Sequence, residues 1–309
     1  MQFLVVGGTW YCYDPAAPPL GAGTTGEVYL GFRCGDEERV AIKRIRPEFA
    51  ANAIMRKYLE KEASVVFEHP NIVRTLGVCE LQDGSLFILS EYVAGTTLSD
   101  YIKNVLPMLS QDERITKLLD IFRQILAALK HMHSLQWAHL DIKPSNVMID
   151  CKSQVKLMDM GISVFYGYGS NAGREFVGTP AYAAPEQIPN AMPGYRVDNR
   201  SDIYSFGMSL YEALSGSSPV AGMSDTEALH FQRYGKLENT GDIPDVLFRI
   251  IRKATDKFPD RRYSSVEELD DDLERYQTKK EKTSATTLTI VLAAVTILTF
   301  IIIFCLWNL

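Results

Sequence analysis

From Thr283 to Leu309 no side chain of the 309-residue chain carries a charge. Inside that stretch, Leu288 to Trp307 is 20 residues rich in Ile, Val, Leu, Ala and Phe. A helix needs about 20 apolar residues to cross the hydrocarbon core of a bilayer. Residues 288–307 are therefore expected to form one transmembrane helix, with a buried core helix as the alternative. Thr289, Thr296 and Thr299 are tolerable there, because a helical threonine can bond a carbonyl one turn back. Trp307 fits an interfacial anchor. Arg275, Lys279, Lys280 and Lys282 precede the run, and only Asn308 and Leu309 follow it. The positive-inside bias places residues 1–282 in the cytoplasm. So little chain on the far side favours an anchor over a ligand-sensing receptor.

The rest of the chain has enough apolar residues for a sizeable core and does not read as disordered. A formal net charge of −6 gives no overall attraction to nucleic acid, so no nucleic-acid partner is expected. The five cysteines are widely spread with no C-x-x-C pair, which suits a reducing compartment better than a disulfide or zinc framework. Met1 to Val6 has no basic leader and does not read as a signal peptide; it suits an extra strand or a loose start.

Residues 19–45 read as strand, glycine loop, strand, polar turn at Arg33–Glu38, strand. A helix is expected from about Glu48 to Phe67, with Leu59, Glu62, Ala63 and Val66 on one face. Two strands follow, near Thr75–Glu80 and Leu86–Ser90, joined at Asp83-Gly84. Beyond Thr96 helices dominate: Asp112–Ser134 is long and amphipathic, and Ser201–Ser215 is a second core helix. The fold class is α+β: a small antiparallel sheet with one helix, then a larger, mainly helical part. Residues 277–287 read as a juxtamembrane spacer.

Gly21-Ala22-Gly23-Thr24-Thr25-Gly26-Glu27-Val28 fits G-x-G-x-x-G-x-V. Glycines lack Cβ and let a hairpin approach phosphates closely. In a dinucleotide-binding fold the glycines would open a helix, whereas here Glu27 to Leu30 continues as a strand. Taken alone the motif also fits an ordinary glycine hairpin. Lys43, in Val40-Ala41-Ile42-Lys43, sits among apolar neighbours on a strand and is costly there unless paired. Phosphates and a helix carboxylate are its natural partners: Glu62, with Glu60 as the fallback, and a solvated surface glutamate as the bland reading of either.

His139-Leu140-Asp141-Ile142-Lys143-Pro144-Ser145-Asn146 is the strongest local signal. It places an acid and an amide five apart in one loop, with a lysine between. Asp141 can accept a hydroxyl proton, Asn146 can hold a metal, and Lys143 can neutralise a moving phosphoryl group. Asp159-Met160-Gly161 supplies a second metal-binding acid. Carboxylate with phosphate oxygens suits Mg²⁺.

Together these motifs, followed by Ala184-Pro185-Glu186, resemble the eukaryotic-like (Hanks-type) Ser/Thr protein kinase family over about residues 19–276. The resemblance implies a two-lobed fold with kinase domain 1–276: an N-lobe of about 1–90, a hinge at 91–95 and a C-lobe at 96–276. ATP and Mg²⁺ would bind between the lobes. Gly21, Ala22, Gly23, Gly26, Val28 and Ala41 would line the nucleotide site. Lys43 would hold phosphates and pair with Glu62; Glu91 and Val93 would present backbone groups to adenine. Asp141 would be the catalytic base assisted by Lys143, and Asn146 and Asp159 the metal ligands. Asp202 would prop the catalytic loop, and Glu186 would pair with Arg262. Lys143-Pro144-Ser145-Asn146 and Gly178-Thr179-Pro180-Ala181-Tyr182 resemble the Ser/Thr branch, so protein serine and threonine hydroxyls are the expected acceptors, with Thr179 lining the acceptor site. A compact domain with a terminal anchor resembles bacterial members, which points to the plasma membrane; a tail-anchored protein of internal membranes is the alternative.

Leu140 stands where many members have arginine, and Met160 where they usually have phenylalanine. The arginine normally pairs with a phosphorylated activation loop, so activity without loop phosphorylation is expected. A membrane-tethered pseudokinase scaffold and a small-molecule kinase are the rival readings. Retention of Lys43, Asp141, Asn146 and Asp159 argues against the first, and the complete Gly178–Glu186 segment against the second.

Overall fold

Leu4, Tyr11 and Tyr13 point to one side of a two-stranded ribbon; Phe3, Val5 and Trp10 point to the other and stay exposed. That alternation is what a strand's period of two produces when one face is buried. The ribbon is β1 (Gln2–Val6) and β2 (Thr9–Tyr13), so the N-terminus is an added strand and not a loose start. The computed structural model describes residues 1–23, 25–51, 67–159, 164–165, 176, 178–239 and 241–280, with Leu292, Val295, Thr296 and Thr299.

β3 (Gly21–Ala22), β4 (Gly26–Arg33) and β5 (Arg39–Ile45) follow, then a short α1 (Pro47–Ala51), β6 (Thr75–Glu80) and β7 (Leu86–Glu91). The antiparallel sheet runs β1-β2-β4-β5-β7-β6, with β3 also on β4. It curls until β1 lies against β6. A Cβ added at Gly77 would sit 2.4 Å from Val6 Cγ1, so glycine is what lets the two edges meet. Leu4, Tyr13, Tyr29, Val40, Ile42, Phe87 and Leu89 fill the space this encloses. Of the helix expected from about Glu48 to Phe67, α1 carries the first residues, Phe67 itself belongs to no helix, and residues 52–66, with Glu60 and Glu62, lie outside the described residues.

Tyr92 to Ala94 belong to no strand or helix and connect the two lobes. The second lobe begins with β8 (Gly95–Thr97) and α2 (Leu98–Asn104), capped by the Thr97 hydroxyl. The long α3 (Gln111–Ser134) starts at a reciprocal Ser110–Glu113 capping box, which satisfies two of its free amide groups. Its apolar stripe, including Leu118, Phe122 and Leu129, packs on the second core helix, where Phe122 and Phe206 meet edge-on at 5.1 Å. β9 (Trp137–Ala138), β10 (Val147–Asp150) and β11 (Val155–Leu157) bracket the H-x-D-x-K-x-x-N loop, and β12 (Val164–Phe165) pairs with β9. α4 (Asn199–Ser215) runs through the middle of the lobe and is buried on nearly every side, ending at Gly216 with φ 80°. α5 (Asp225–Tyr234), α6 (Asp245–Ala254) and α7 (266–280) complete it. α7 continues past Tyr276, with Gln277 donating to Asp120 and Lys280 pairing with Asp112 at 3.0 Å, so the start of the expected spacer is packed helix.

Among the described residues no helix is long and apolar enough to cross a membrane. The expected span 288–307 lies outside them except for Leu292, Val295, Thr296 and Thr299, which are helical. There the threonine hydroxyls do bond back one turn, Thr296 to the Leu292 carbonyl at 2.8 Å and Thr299 to that of Val295 at 2.6 Å.

Candidate active site

The β4–β5 register sets Val28 opposite Lys43 and Leu30 opposite Ala41. Because Val40 and Ile42 face into the curled sheet, strand alternation turns Ala41 and Lys43 to the other face, toward the second lobe. There Lys43 Nζ donates to Asp159 Oδ1 at 2.7 Å. Partial removal from water raises the Asp159 carboxyl, but the Lys43 ammonium beside it prevails and holds it below the usual carboxylate range. Met160 and Gly161 lie outside the described residues, as do Glu62 and Glu60, the expected partners of Lys43.

The three loop glycines have different reasons. A Cβ at Gly26 would lie 2.2 Å from the Arg44 carbonyl oxygen, so packing between strands already demands glycine there. At Gly21 and Gly23 an added Cβ would meet nothing within 4 Å. Those two glycines border open space on the hairpin that Gly23 N–H closes onto the Gly26 carbonyl at 2.8 Å. At the lobe junction the Glu91 carboxylate accepts from Lys156 Nζ at 2.5 Å and from Arg74 N–H at 2.9 Å. This ties the connection to β11, a side-chain use that the sequence did not reveal.

Asp141 gathers the second cluster. Its Oδ2 accepts from Asn146 Nδ2 at 2.9 Å and pairs with Lys143 Nζ at 2.7 Å; its Oδ1 accepts from the Thr179 hydroxyl at 2.8 Å. Lys143 Nζ also donates to Thr179 Oγ1 at 2.5 Å. Asn146 Nδ2 reaches the Asp141 carbonyl as well, at 3.0 Å. Both amide hydrogens of Asn146 are thus committed, so its oxygen is the atom that would meet a cation. An amide oxygen and the ionised Asp159 carboxylate are hard donors and fit Mg²⁺, which retains several waters or phosphate oxygens.

The two clusters are joined by backbone. Met158 N–H donates to the Asn146 carbonyl at 2.8 Å, and the Met158 carbonyl meets His139 Nε2 at 2.9 Å. His139 Nδ1 accepts from Asp141 N–H at 3.2 Å, which leaves the ring proton on Nε2. Asp159 therefore follows a residue bound on both sides to the loop that carries Asp141.

The loop is held from beneath by Asp202 on α4, which has no exposed surface. Its Oδ2 accepts from His139 N–H and meets His133 Nε2, both at 2.8 Å, and its Oδ1 accepts from Leu140 N–H at 2.7 Å. Gln187 Nε2 donates to the Leu140 carbonyl at 3.0 Å. Leu140 is consequently fixed at φ 66°, a left-handed conformation that a side chain of this size adopts only under constraint. Further down, Glu186 and Arg262 form a bidentate pair at 2.6 and 2.7 Å with no exposed side-chain surface, and Ser201 donates to the same carboxylate. The contacts of His139 and Gln187 were missed by sequence reasoning, because each depends on a carbonyl brought close only by the fold.

Residues 16–282 match the protein kinase domain family. Serine/threonine-protein kinase PknD of Chlamydia felis is 30% identical over 286 residues, covering 83% of this chain and 30% of the relative. Serine/threonine-protein kinase PrkC of Bacillus subtilis is 31% identical over 261 residues, covering 82% of this chain and 39% of the relative. PknD of Chlamydia pneumoniae is 28% identical over 298 residues, covering 87% and 31%. The chain spans 30–39% of the length of these relatives. With the family matched over residues 16–282, and strand lysine, catalytic-loop acid and buried Glu–Arg pair in the places described above, the chain belongs to the protein kinase domain family.

Proposed function

We propose that the chain is an ATP-dependent protein serine/threonine kinase, bacterial in origin and anchored to a membrane by residues 288–307. The observation that carries the reading is the convergence of Asp141, Lys143, Asn146 and Thr179, with Asp159 linked to them through Met158.

ATP lies under the β3–β4 hairpin against Gly21, Ala22, Gly23, Val28 and Ala41, with Gly26 holding the hairpin close to β5. Glu91 and Val93 supply backbone groups to the adenine edge. Lys43 takes hold of phosphate oxygens. Asp141 Oδ1 accepts the proton of an incoming serine or threonine hydroxyl as its oxygen bonds to the γ-phosphorus and the bond to ADP breaks. Lys143 offsets the negative charge carried by the moving phosphoryl group. Asn146 and Asp159 hold Mg²⁺, which when bound neutralises charge on the phosphate oxygens. Similarity to relatives named serine/threonine-protein kinase supports the acceptor class.

The anchor rests on the uncharged run after Lys282 and the basic flank before it. The test is transfer of labelled phosphate from ATP to a generic Ser/Thr substrate by the full chain in vesicles, with Asp141→Asn as control. Loss of transfer in the variant supports the reading; equal transfer by both overturns it. Retention in the membrane pellet after alkaline extraction tests the anchor separately.

A further inference from the structure

The turn that carries Thr179 is held from two sides. Above, the Thr179 hydroxyl meets Asp141 and Lys143. Within the turn, Tyr182 and Ala183 N–H groups donate to the Thr179 carbonyl at 3.0 and 3.2 Å. Below, the Ala181 and Tyr182 carbonyls are taken by side chains of the lobe. Ser205 on α4 donates to Tyr182 O at 2.8 Å, and Gln232 Nε2 on α5 donates to Ala181 O at 2.6 Å.

Gln232 is fully buried, and so is the group that orients it. Tyr204 Oη donates to Gln232 Oε1 at 2.7 Å, and Lys257 Nζ donates to Tyr204 Oη at 2.8 Å. Donor arithmetic fixes the direction of this chain. The Ala181 carbonyl can only accept and takes the Gln232 NH₂, so Oε1 faces Tyr204 and receives its one proton, while the Lys257 ammonium donates to the tyrosine oxygen. With the amide reversed, two oxygens would oppose one another in a dry site, at a cost comparable to a lost buried hydrogen bond. Lys257 also donates to the Phe231 carbonyl at 3.3 Å and lies over the Tyr204 and Phe231 rings at 5.2 and 5.4 Å. Burial, aided by the nearby Arg262 charge, lowers its pKa to about 8, so it remains a cation at neutral pH. Holding a lysine in such a place is unfavourable for stability alone, which points to a use for its orientation.

We propose that Gln232 is a positioning residue for the protein substrate: it sets the 179–182 turn against which the acceptor segment lies, with Tyr204 and Lys257 acting through it. This rests on the kinase reading above. Gln232 touches neither the hairpin that covers ATP nor Asp141, so its effect falls on the acceptor and not on the nucleotide.

The experiment is steady-state transfer to a Ser/Thr peptide by the full chain in vesicles, comparing wild type with Gln232→Met, Gln232→Glu, Tyr204→Phe and the Tyr204→Phe/Gln232→Met double variant. Loss of one buried hydrogen bond predicts a rise of about tenfold in KM for the peptide in Gln232→Met. KM for ATP stays at the wild-type value and kcat falls far less than the peptide KM rises. Gln232→Glu keeps an acceptor for Tyr204 but has no N–H for Ala181, and behaves like Gln232→Met. Tyr204→Phe has a smaller effect, and the double variant is no worse than Gln232→Met, because both act on one link. An unchanged peptide KM in Gln232→Met and Tyr204→Phe overturns the proposal. So does a parallel rise in both KM values with a lowered melting temperature, which a merely structural role would give. If Gln232→Met does not fold, Tyr204→Phe decides alone by the same split between the two KM values. Failure of wild type itself to transfer phosphate is the distinct result that overturns the kinase reading, and this proposal with it.

Discussion

Thr179 donates its hydroxyl proton to Asp141 Oδ1 at 2.8 Å and accepts from Lys143 Nζ at 2.5 Å. A single hydroxyl thus sets the spacing of two charged groups assigned to the chemistry. Thr179→Ser keeps that hydroxyl and is expected to retain activity within a few-fold. Thr179→Val keeps the shape and loses the bonds. A hydrogen bond to a charged group is worth about 1.5–3 kcal/mol, so kcat/KM should fall by roughly 10- to 100-fold. Equal activity of the two variants in a peptide assay would remove Thr179 from the catalytic arrangement.

Glu186 and Arg262 have no exposed side-chain surface and meet through two hydrogen bonds. Removing one member leaves an uncompensated buried charge, which costs about 3–5 kcal/mol. Arg262→Met should lose that much in urea unfolding, and Glu186→Gln a comparable amount. The double variant should lose less than the sum of the two. Additive losses would show that the pair contributes little as a pair.

The Lys43–Asp159 contact makes stability depend on pH in a defined direction. The folded carboxyl titrates below its unfolded value, so the unfolded chain binds more protons as acid is added. The contribution is fully present above the unfolded carboxylate pKa, about 4, and is lost as pH falls through the lower folded value. The stability difference between wild type and Asp159→Asn, measured by denaturant unfolding in the absence of nucleotide, should be constant from pH 7 to about 5 and shrink below about 4. A difference independent of pH down to acid unfolding would mean that Lys43 does not set this carboxyl.

Leu140 is 6% exposed, with its backbone held by Asp202 and Gln187. An apolar residue in that place offers no cation to a phosphorylated loop. Phosphatase-treated protein should therefore retain activity comparable to untreated protein, with residual phosphate checked by mass spectrometry. Activity that disappears on treatment and returns on autophosphorylation would defeat this expectation.

What could be read from sequence follows how local each determinant is. Asp141, Lys143 and Asn146 fall within six residues, and the loop does bring the three together. The strands within 19–45 were legible from the glycine loop and the polar turn at Arg33–Glu38. The Glu186–Arg262 pair spans 76 positions and was reachable only through family resemblance. Gln232 gave no signal at all: one polar residue on an amphipathic helix looks solvated until the fold sets Ala181 and Tyr204 beside it. Gly26 was read as a phosphate-facing glycine, but Arg44 on the adjacent strand is sufficient reason for it. The first hairpin stayed ambiguous because five residues of alternation do not reveal what will cover them.

That hairpin has a temporal consequence. β1 ends at Val6, yet the edge it closes onto, β6, begins only at Thr75. At about 5–20 residues per second, the first strand waits roughly 4 to 15 seconds for its neighbour, and longer if β6 must first leave the ribosome. During that interval Leu4, Tyr11 and Tyr13, all destined for the interior of the sheet, lack Cys79, Phe87 and Leu89, which complete their cover. The β1–β2 ribbon is thus closed only after later strands exist, so its apolar face is where this lobe most needs protection from other chains while it is being made.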